Sequence, residues 1–349
     1  MSANPLFRWL PRSEGRIPWV ELGDWPTPIT RLEIPPRWGG ELWVKRDDRS
    51  SPIYGGNKVR KLEYLLADAR RVGASRLITT GVVGSHHCLA TSVHGRRLGL
   101  PTSLVLFPQP MTPHATTMAA LNQKWADEVR LCSSFATQPF IEAALRWRRR
   151  RERPYVIPGG GSNALGTLGH VGAAFELAEQ VQAGEMPRPS TIVVAAGTLG
   201  TVAGLAIGAA MTGVADRVLA IRIVPSSIAN TWTLSRLIEG ASRILADNGA
   251  RVPDSRAVAD MVQLVGNYFG AGYGQPTEEG ARATEWFARL DVALDPCYTA
   301  KTAAALLDRL GAGRAGTVLY WHTLSSAVPP DEPGGRELPE GQLPETTDH

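Results

Sequence analysis

Three short stretches of this chain combine residue types that chemistry uses. In Gly55-Gly56-Asn57-Lys58 two glycines let the backbone turn tightly against a ligand, and a lysine follows at the start of an apolar pattern of helical period. The positive end of a helix lowers the cost of a neutral amine. A lysine must lose its proton before it attacks an aldehyde, so this setting suits a Schiff-base residue. An ordinary exposed lysine fits the same spacing. The second stretch, Gly197-Thr198-Leu199-Gly200-Thr201, follows a β-branched run and opens a helix, which aims N–H groups and hydroxyls at an anion such as phosphate. A dinucleotide would be served almost as well, although the spacing does not match G-x-G-x-x-G and no acidic ribose partner stands at the expected distance. The third, Gly81-Val82-Val83-Gly84-Ser85-His86-His87, offers a hydroxyl, two imidazoles and free N–H groups, a clamp for a carboxylate. Adjacent histidines raise the idea of a metal. Neighbouring residues rarely ligate one ion, and no Asp, Glu or Cys lies nearby at ligand spacing, so no metal is expected.

Taken in order, these stretches resemble the D-cysteine desulfhydrase and 1-aminocyclopropane-1-carboxylate (ACC) deaminase family, fold-type II pyridoxal-phosphate enzymes built like the tryptophan synthase β subunit. The resemblance is carried by Lys45-Arg46-Asp47-Asp48, the run from Gly55 to Glu63, Gly84-Ser85, the run from Gly159 to Asn163 and the loop from Gly197 to Thr201. It continues through Gly272-Tyr273-Gly274, the run from Asp295 to Lys301 and His322-Thr323. It implies pyridoxal 5′-phosphate as cofactor, held as a Schiff base on Lys58, which later moves the substrate's Cα proton. It further implies Asn57 beside the cofactor, Gly197, Thr198, Leu199, Gly200 and Thr201 around its phosphate, and Thr299 at its pyridine nitrogen. Ser85, with His86 and His87 after it, would take the substrate carboxylate. Ser85, Tyr273 and Tyr298 would be the further acid or base groups, with Tyr273 and Tyr298 facing the substrate.

Where ACC deaminases carry a glutamate that keeps the pyridine protonated, this chain has Thr299, whose hydroxyl can only hydrogen-bond a neutral ring. The weaker electron sink suits β-elimination. The expected activity is therefore a lyase reaction on D-cysteine or another small amino acid, giving a 2-oxo acid and ammonia. The alternatives are ACC-type ring opening and a cofactor-binding homologue with altered or lost activity. Three departures from the family pattern gather at the site. His86 replaces an asparagine that contacts the cofactor's 3′-oxygen, Leu199 replaces a glycine, and Leu324-Ser325 replace a glycine pair.

The elements that position these residues alternate as in an α/β protein with largely parallel sheets. Helical period is expected over 58–72, 88–98, 115–124, 140–151, 173–181, from 202, and over 233–246, 278–290 and 302–310. Strands are expected at 77–80, 103–107, 128–131, 155–157, 191–195, 218–224, 261–265 and 318–321. Two α/β series imply two lobes around a cleft. Residues 1–57 with 171–328 are expected to make the large, cofactor-binding lobe and 58–170 the small one. The Pro-, Gly- and acid-rich 329–349 is expected to be a disordered tail. A length of 349 residues with 43% apolar composition supports such a core, and a net charge of only +4 argues against nucleic acid as partner. The Arg-rich run from Arg146 to Arg153 reads as a solvated helix end. Cys88, Cys132 and Cys297 are too widely spaced for a disulfide framework, and no apolar run suits a signal peptide or membrane span. A cytoplasmic protein is expected, and the resemblance implies a homodimer.

Overall fold

Runs of Val, Ile and Leu bounded by turn residues form strands, the central ones buried on both faces, and these collect into two separate sheets. The described residues are 4–313 and 316–330 of a computed structural model. The expected disordered tail lies outside them from residue 331 onward. In chain order the first elements are α1 (Pro5–Trp9), β1 (Ile29–Leu32), β2 (Glu41–Arg46) and α2 (Lys58–Arg71). Then come β3 (Arg76–Val82), α3 (His86–Arg97), β4 (Thr102–Phe107), α4 (Pro113–Trp125), β5 (Glu128–Leu131), α5 (Gln138–Arg148) and β6 (Pro154–Ile157). These four strands make one parallel sheet in the order β5-β4-β3-β6.

The chain continues through α6 (Ala164–Gln182), β7 (Thr191–Ala196), α7 (Gly200–Thr212), β8 (Arg217–Arg222), α8 (Thr231–Asp247), α9 (Ser255–Asp260) and β9 (Val262–Val265). It ends with α10 (Glu278–Ala288), α11 (Thr299–Gly311) and β10 (Thr317–His322). The second sheet runs β1-β2-β10-β7-β8-β9, parallel throughout except for the antiparallel pair β1 and β2. α6 and α7 lie in the larger core with Leu168, Phe175, Val202 and Ile207 fully or almost fully buried.

Helices α1 and α9, the start of α6, and strands β1 and β2 differ from the sequence reading. Helix α6 begins at Ala164, well before the expected 173, because glycines at 166, 169 and 172 break the apolar period. Those glycines serve contact: a Cβ on Gly169 would overlap the Arg60 carbonyl, so α2 and α6 cross backbone to backbone. Asn163 secures the start by accepting from the Gly166 N–H at 2.8 Å. Strands β1 and β2 were not expected. β2 hides because Lys45 and Arg46 sit inside it, and the buried Lys45 amine is satisfied by a 2.6 Å ion pair with Glu176 of α6 and by donating to Thr27 O at 2.7 Å and to Gln180 Oε1.

Candidate active site

The strand-to-helix turns of both sheets converge on a cavity of about 950 Å³. Lys58, the first residue of α2, lines it, as do Thr198 and Leu199 before α7, Ser85 and His86 at α3, and Tyr273 and Tyr298 near α11. α2 and α7, like α5 and α11, start without a side-chain cap. The starts of α2 and α7 border the cavity, and the positive end of each helix dipole favours an anion there. Before α7, Leu199 holds a left-handed backbone with φ of 64°, a conformation that costs a non-glycine residue roughly 1–2 kcal/mol. Its side chain is buried in the core around α7. Gly160 closes over the same loop, since a Cβ there would overlap the Thr198 hydroxyl.

Lys58 donates to Asn57 Oδ1 at 2.8 Å, and Asn57 Nδ2 donates to Thr201 Oγ1 at 2.9 Å. The lysine is thus keyed to the 197–201 loop. Burial lowers its amine to about 8, with the Asp295 carboxylate partly opposing the shift. The adjacent cation is Lys61, one helical turn further along α2. It lines the same cavity, almost wholly buried, and donates to Gly160 O at 3.0 Å and Ser162 Oγ at 2.9 Å. Ser162 Oγ in turn lies 2.6 Å from Thr198 Oγ1. Burial, then the charge of Lys58, holds the Lys61 amine well below its ordinary value. No carboxylate is among the charges acting on it, so an anionic group beside the 197–201 loop would relieve both costs. A phosphate at the loop and an aldehyde at Lys58 fit this donor set. Gly200 belongs to the loop, but it does not line the cavity, and its N–H is turned to Thr198 O and Ser162 Oγ.

Ser85 caps α3, accepting from the Cys88 N–H at 3.2 Å. The two histidines after it diverge. His87 also lines the cavity, and its Nε2 lies 2.9 Å from Thr79 Oγ1 of the small sheet. His86 Nδ1 lies 2.6 Å from the Tyr54 hydroxyl, and its Nε2 lies 2.9 Å from His114 Nε2. Burial lowers His86 to about 4, against the pull of Asp295. Opposite, the Tyr273 and Tyr298 hydroxyls hydrogen-bond each other, and burial raises both phenols, so they stay protonated donors.

Thr299, which the resemblance sets at the pyridine nitrogen, has its hydroxyl turned to Asp295. It does not line the cavity, because its hydroxyl is committed on both sides. It donates to Asp295 Oδ2 at 2.6 Å and accepts from the Asp295 N–H at 2.6 Å. Asp295 occupies the wall in its place and also accepts from the N–H groups of Cys297, Tyr298 and Thr299. Burial works against that carboxylate, but His86, Thr299 and these N–H groups outweigh it and hold the group below the usual range. The sequence reading missed Asp295, Lys61, Tyr54 and His114 as site residues. An aspartate just ahead of a helix was a readable signal for the first. Nothing local marked His114, which is 28 residues from His86. Of the remaining departures, Leu324 and Ser325 line the cavity, and Ser325 Oγ accepts from the Gly55 N–H at 2.8 Å.

Comparison with known proteins agrees with this geometry. The family model described as "Pyridoxal-phosphate dependent enzyme" matches residues 20–323. A D-cysteine desulfhydrase of Klebsiella pneumoniae (strain 342) is 36% identical over 322 residues, covering 88% of this chain and 94% of that one. The desulfhydrase of a second Klebsiella pneumoniae strain, subsp. pneumoniae (ATCC 700721 / MGH 78578), is 35% identical over 324 residues with the same coverage. The crystal structure of an ACC deaminase homologue superposes with a TM-score of 0.77 at 32% identity, covering 94% of this chain and 96% of that one. An O-ureido-L-serine synthase at 16% identity and a TM-score of 0.60 shares the fold, covering 93% of this chain and 90% of that one.

Proposed function

The chain belongs to the family of pyridoxal-phosphate dependent enzymes, and from that premise we propose that it is a lyase that splits a small amino acid by β-elimination, as a D-cysteine desulfhydrase does, giving a 2-oxo acid and ammonia. The observation that carries this reading is the buried amine of Lys58, brought to about 8 and keyed through Asn57 to the 197–201 loop. At pH 7 roughly a tenth of such amines are neutral, against well under one in a thousand for an ordinary lysine. Bound pyridoxal phosphate supplies the electron sink for the bond broken at Cα. The loop and Lys61 hold the phosphate end. Ser85 and the first N–H groups of α3 take the substrate carboxylate at a helix N-terminus. Lys58 takes the Cα proton. Tyr273 and Tyr298 hydrogen-bond the leaving group and hand it a proton. Thr299 acts on that wall through Asp295.

ACC-type deamination is the second reading, favoured by the likeness to the ACC deaminase homologue. A panel of D- and L-cysteine, β-chloroalanine and ACC separates the two. Pyruvate with sulfide from D-cysteine, abolished in Lys58→Ala, is the expected result. Release of 2-oxobutyrate from ACC alone would establish the second reading, and a bound cofactor with no product from any would leave a binding homologue. We also take residues 1–57 with 171–328 and 58–170 as the two lobes, since each sheet's strands fall within one of these segments. A cytoplasmic homodimer completes the reading. Three free, buried cysteines suit a reducing compartment, and sedimentation measures the dimer.

A further inference from the structure

We propose that Tyr54, His86 and His114 form a proton path between the reaction cavity and the outside of the protein, an inference that rests on the lyase reading above. Tyr54 and His86 line the cavity, whereas His114 stands half-buried on the first turn of α4. The two links measure 2.6 Å and 2.9 Å, both within hydrogen-bond range. The imidazoles meet nitrogen to nitrogen with ring centroids 5.1 Å apart and planes tilted by 31°. Two Nε2 atoms at that distance can hold one proton between them. If the Tyr54 hydroxyl donates to His86 Nδ1, then His86 carries its proton on Nε2 and donates to His114 Nε2. His114 is then left with its proton on Nδ1.

That arrangement conducts. As Tyr54 takes a proton from the cavity, its own passes to His86 Nδ1. The His86 Nε2 proton passes to His114 Nε2, and the His114 Nδ1 proton leaves to water. Each group forms one bond to hydrogen and loses one, and no group is oxidised or reduced. The two rings exchange tautomers, and a transfer in the opposite sense restores them. The charged and titratable groups facing His86 are Asp295, Lys58, His114 and Tyr54. Burial keeps His86 neutral through the working pH range, so it retains the free nitrogen that accepts a proton. Elimination takes one proton from Cα and puts one on the leaving group, and this path lets the cavity exchange those protons with bulk solvent.

The test compares the loaded wild type with His114→Ala, His114→Gln and Tyr54→Phe. Glutamine restores a hydrogen-bonding amide at the position but cannot pass a proton. The expected result is a turnover rate about tenfold lower in all three, with KM unchanged. Added imidazole should restore His114→Ala in proportion to its concentration, and should leave Tyr54→Phe slow. Imidazole nitrogen NMR on the wild type should find His86 protonated on Nε2 and His114 on Nδ1. Unchanged turnover in His114→Gln, slowing of His114→Ala without imidazole rescue, or rings that titrate independently would overturn the path while leaving the lyase reading intact. A wild type that releases no 2-oxo acid and exchanges no Cα proton into D2O would overturn both.

Discussion

Lys58 and Lys61 stand one helical turn apart on α2, and their amines face one cavity with different tasks. Lys58 can be made neutral near pH 8, whereas Lys61 is fixed against Gly160 and Ser162 beside the 197–201 loop. Lys58→Ala should therefore lose the visible cofactor band altogether. Lys61→Ala should keep the band at saturating cofactor but weaken binding about tenfold or more, as expected for removing a charge-assisted contact. Fluorescence titration with pyridoxal phosphate measures both, and equal affinity in Lys61→Ala would remove it from the phosphate site. The amine's titration also sets a sign. Its value in the folded protein lies below that of a free lysine, so the reactive neutral form grows as pH rises through about 8. The rate of cofactor attachment to the apoprotein should climb about tenfold per unit below that pH and level above it. A flat stopped-flow profile from pH 6 to 9 would contradict the assignment.

Among the elements, α6 decides where α2 lies. Its Gly169 meets the Arg60 carbonyl, and Asn163 fixes where its first turn begins, just after Gly160 and Ser162 have closed on Lys61 and Thr198. A methyl group at Gly169 must push the two helices apart. Gly169→Ala should cost about 1–3 kcal/mol in denaturant unfolding, as overpacking does, although alanine is the better helix former. Because α2 carries both lysines, the same variant should lose cofactor affinity without touching the cavity. A neutral or stabilising result would mean that the helices separate freely there. α7 shows the converse economy. Leu199 accepts a left-handed backbone that glycine would adopt freely, and its side chain is buried in the core in return.

At the scale of the whole molecule, a buried charge network joins parts of the chain distant in sequence. Glu176 of α6 pairs with Lys45 of β2 at 2.6 Å and with Arg60 of α2 at 2.9 Å, and Arg60 reaches Asp47 at 2.8 Å. The indole of Trp321 on β10 donates to the same Asp47 at 2.7 Å. Burial alone would raise the Glu176 carboxyl, but Arg60 and Lys45 outweigh it and bring it to about 2. Its folded value lies below its unfolded one, so its contribution is complete above about pH 4.3 and is lost as pH falls toward about 2. Glu176→Gln leaves two buried cations short of an anion and should cost about 3–5 kcal/mol. It should also flatten the acid limb of the stability curve between those pH values, which urea titrations at several pH values would reveal. An acid limb identical to that of the wild type would place the pH dependence elsewhere.

The α/β class, the order of most elements, the position of Lys58 at a helix start and the 197–201 loop were legible in the chain, because each is written locally. A helical or strand period, a pair of glycines and a lysine at a helix start occupy a few consecutive residues. The motif order also identified the family. Other features were decided only by folding. Lys61, three residues beyond Lys58, reaches the cavity because Gly160 and Ser162 of a distant loop receive its amine. Asp295 and not Thr299 lines the wall, because the threonine hydroxyl satisfies both of its hydrogen bonds on that aspartate. Strand β2 carries a lysine whose buried charge is paired with Glu176, 131 residues away. His114 meets His86 across two elements that share no pattern. In each case a buried polar group takes a partner remote in sequence, and the free energy of satisfying that group belongs to the tertiary structure.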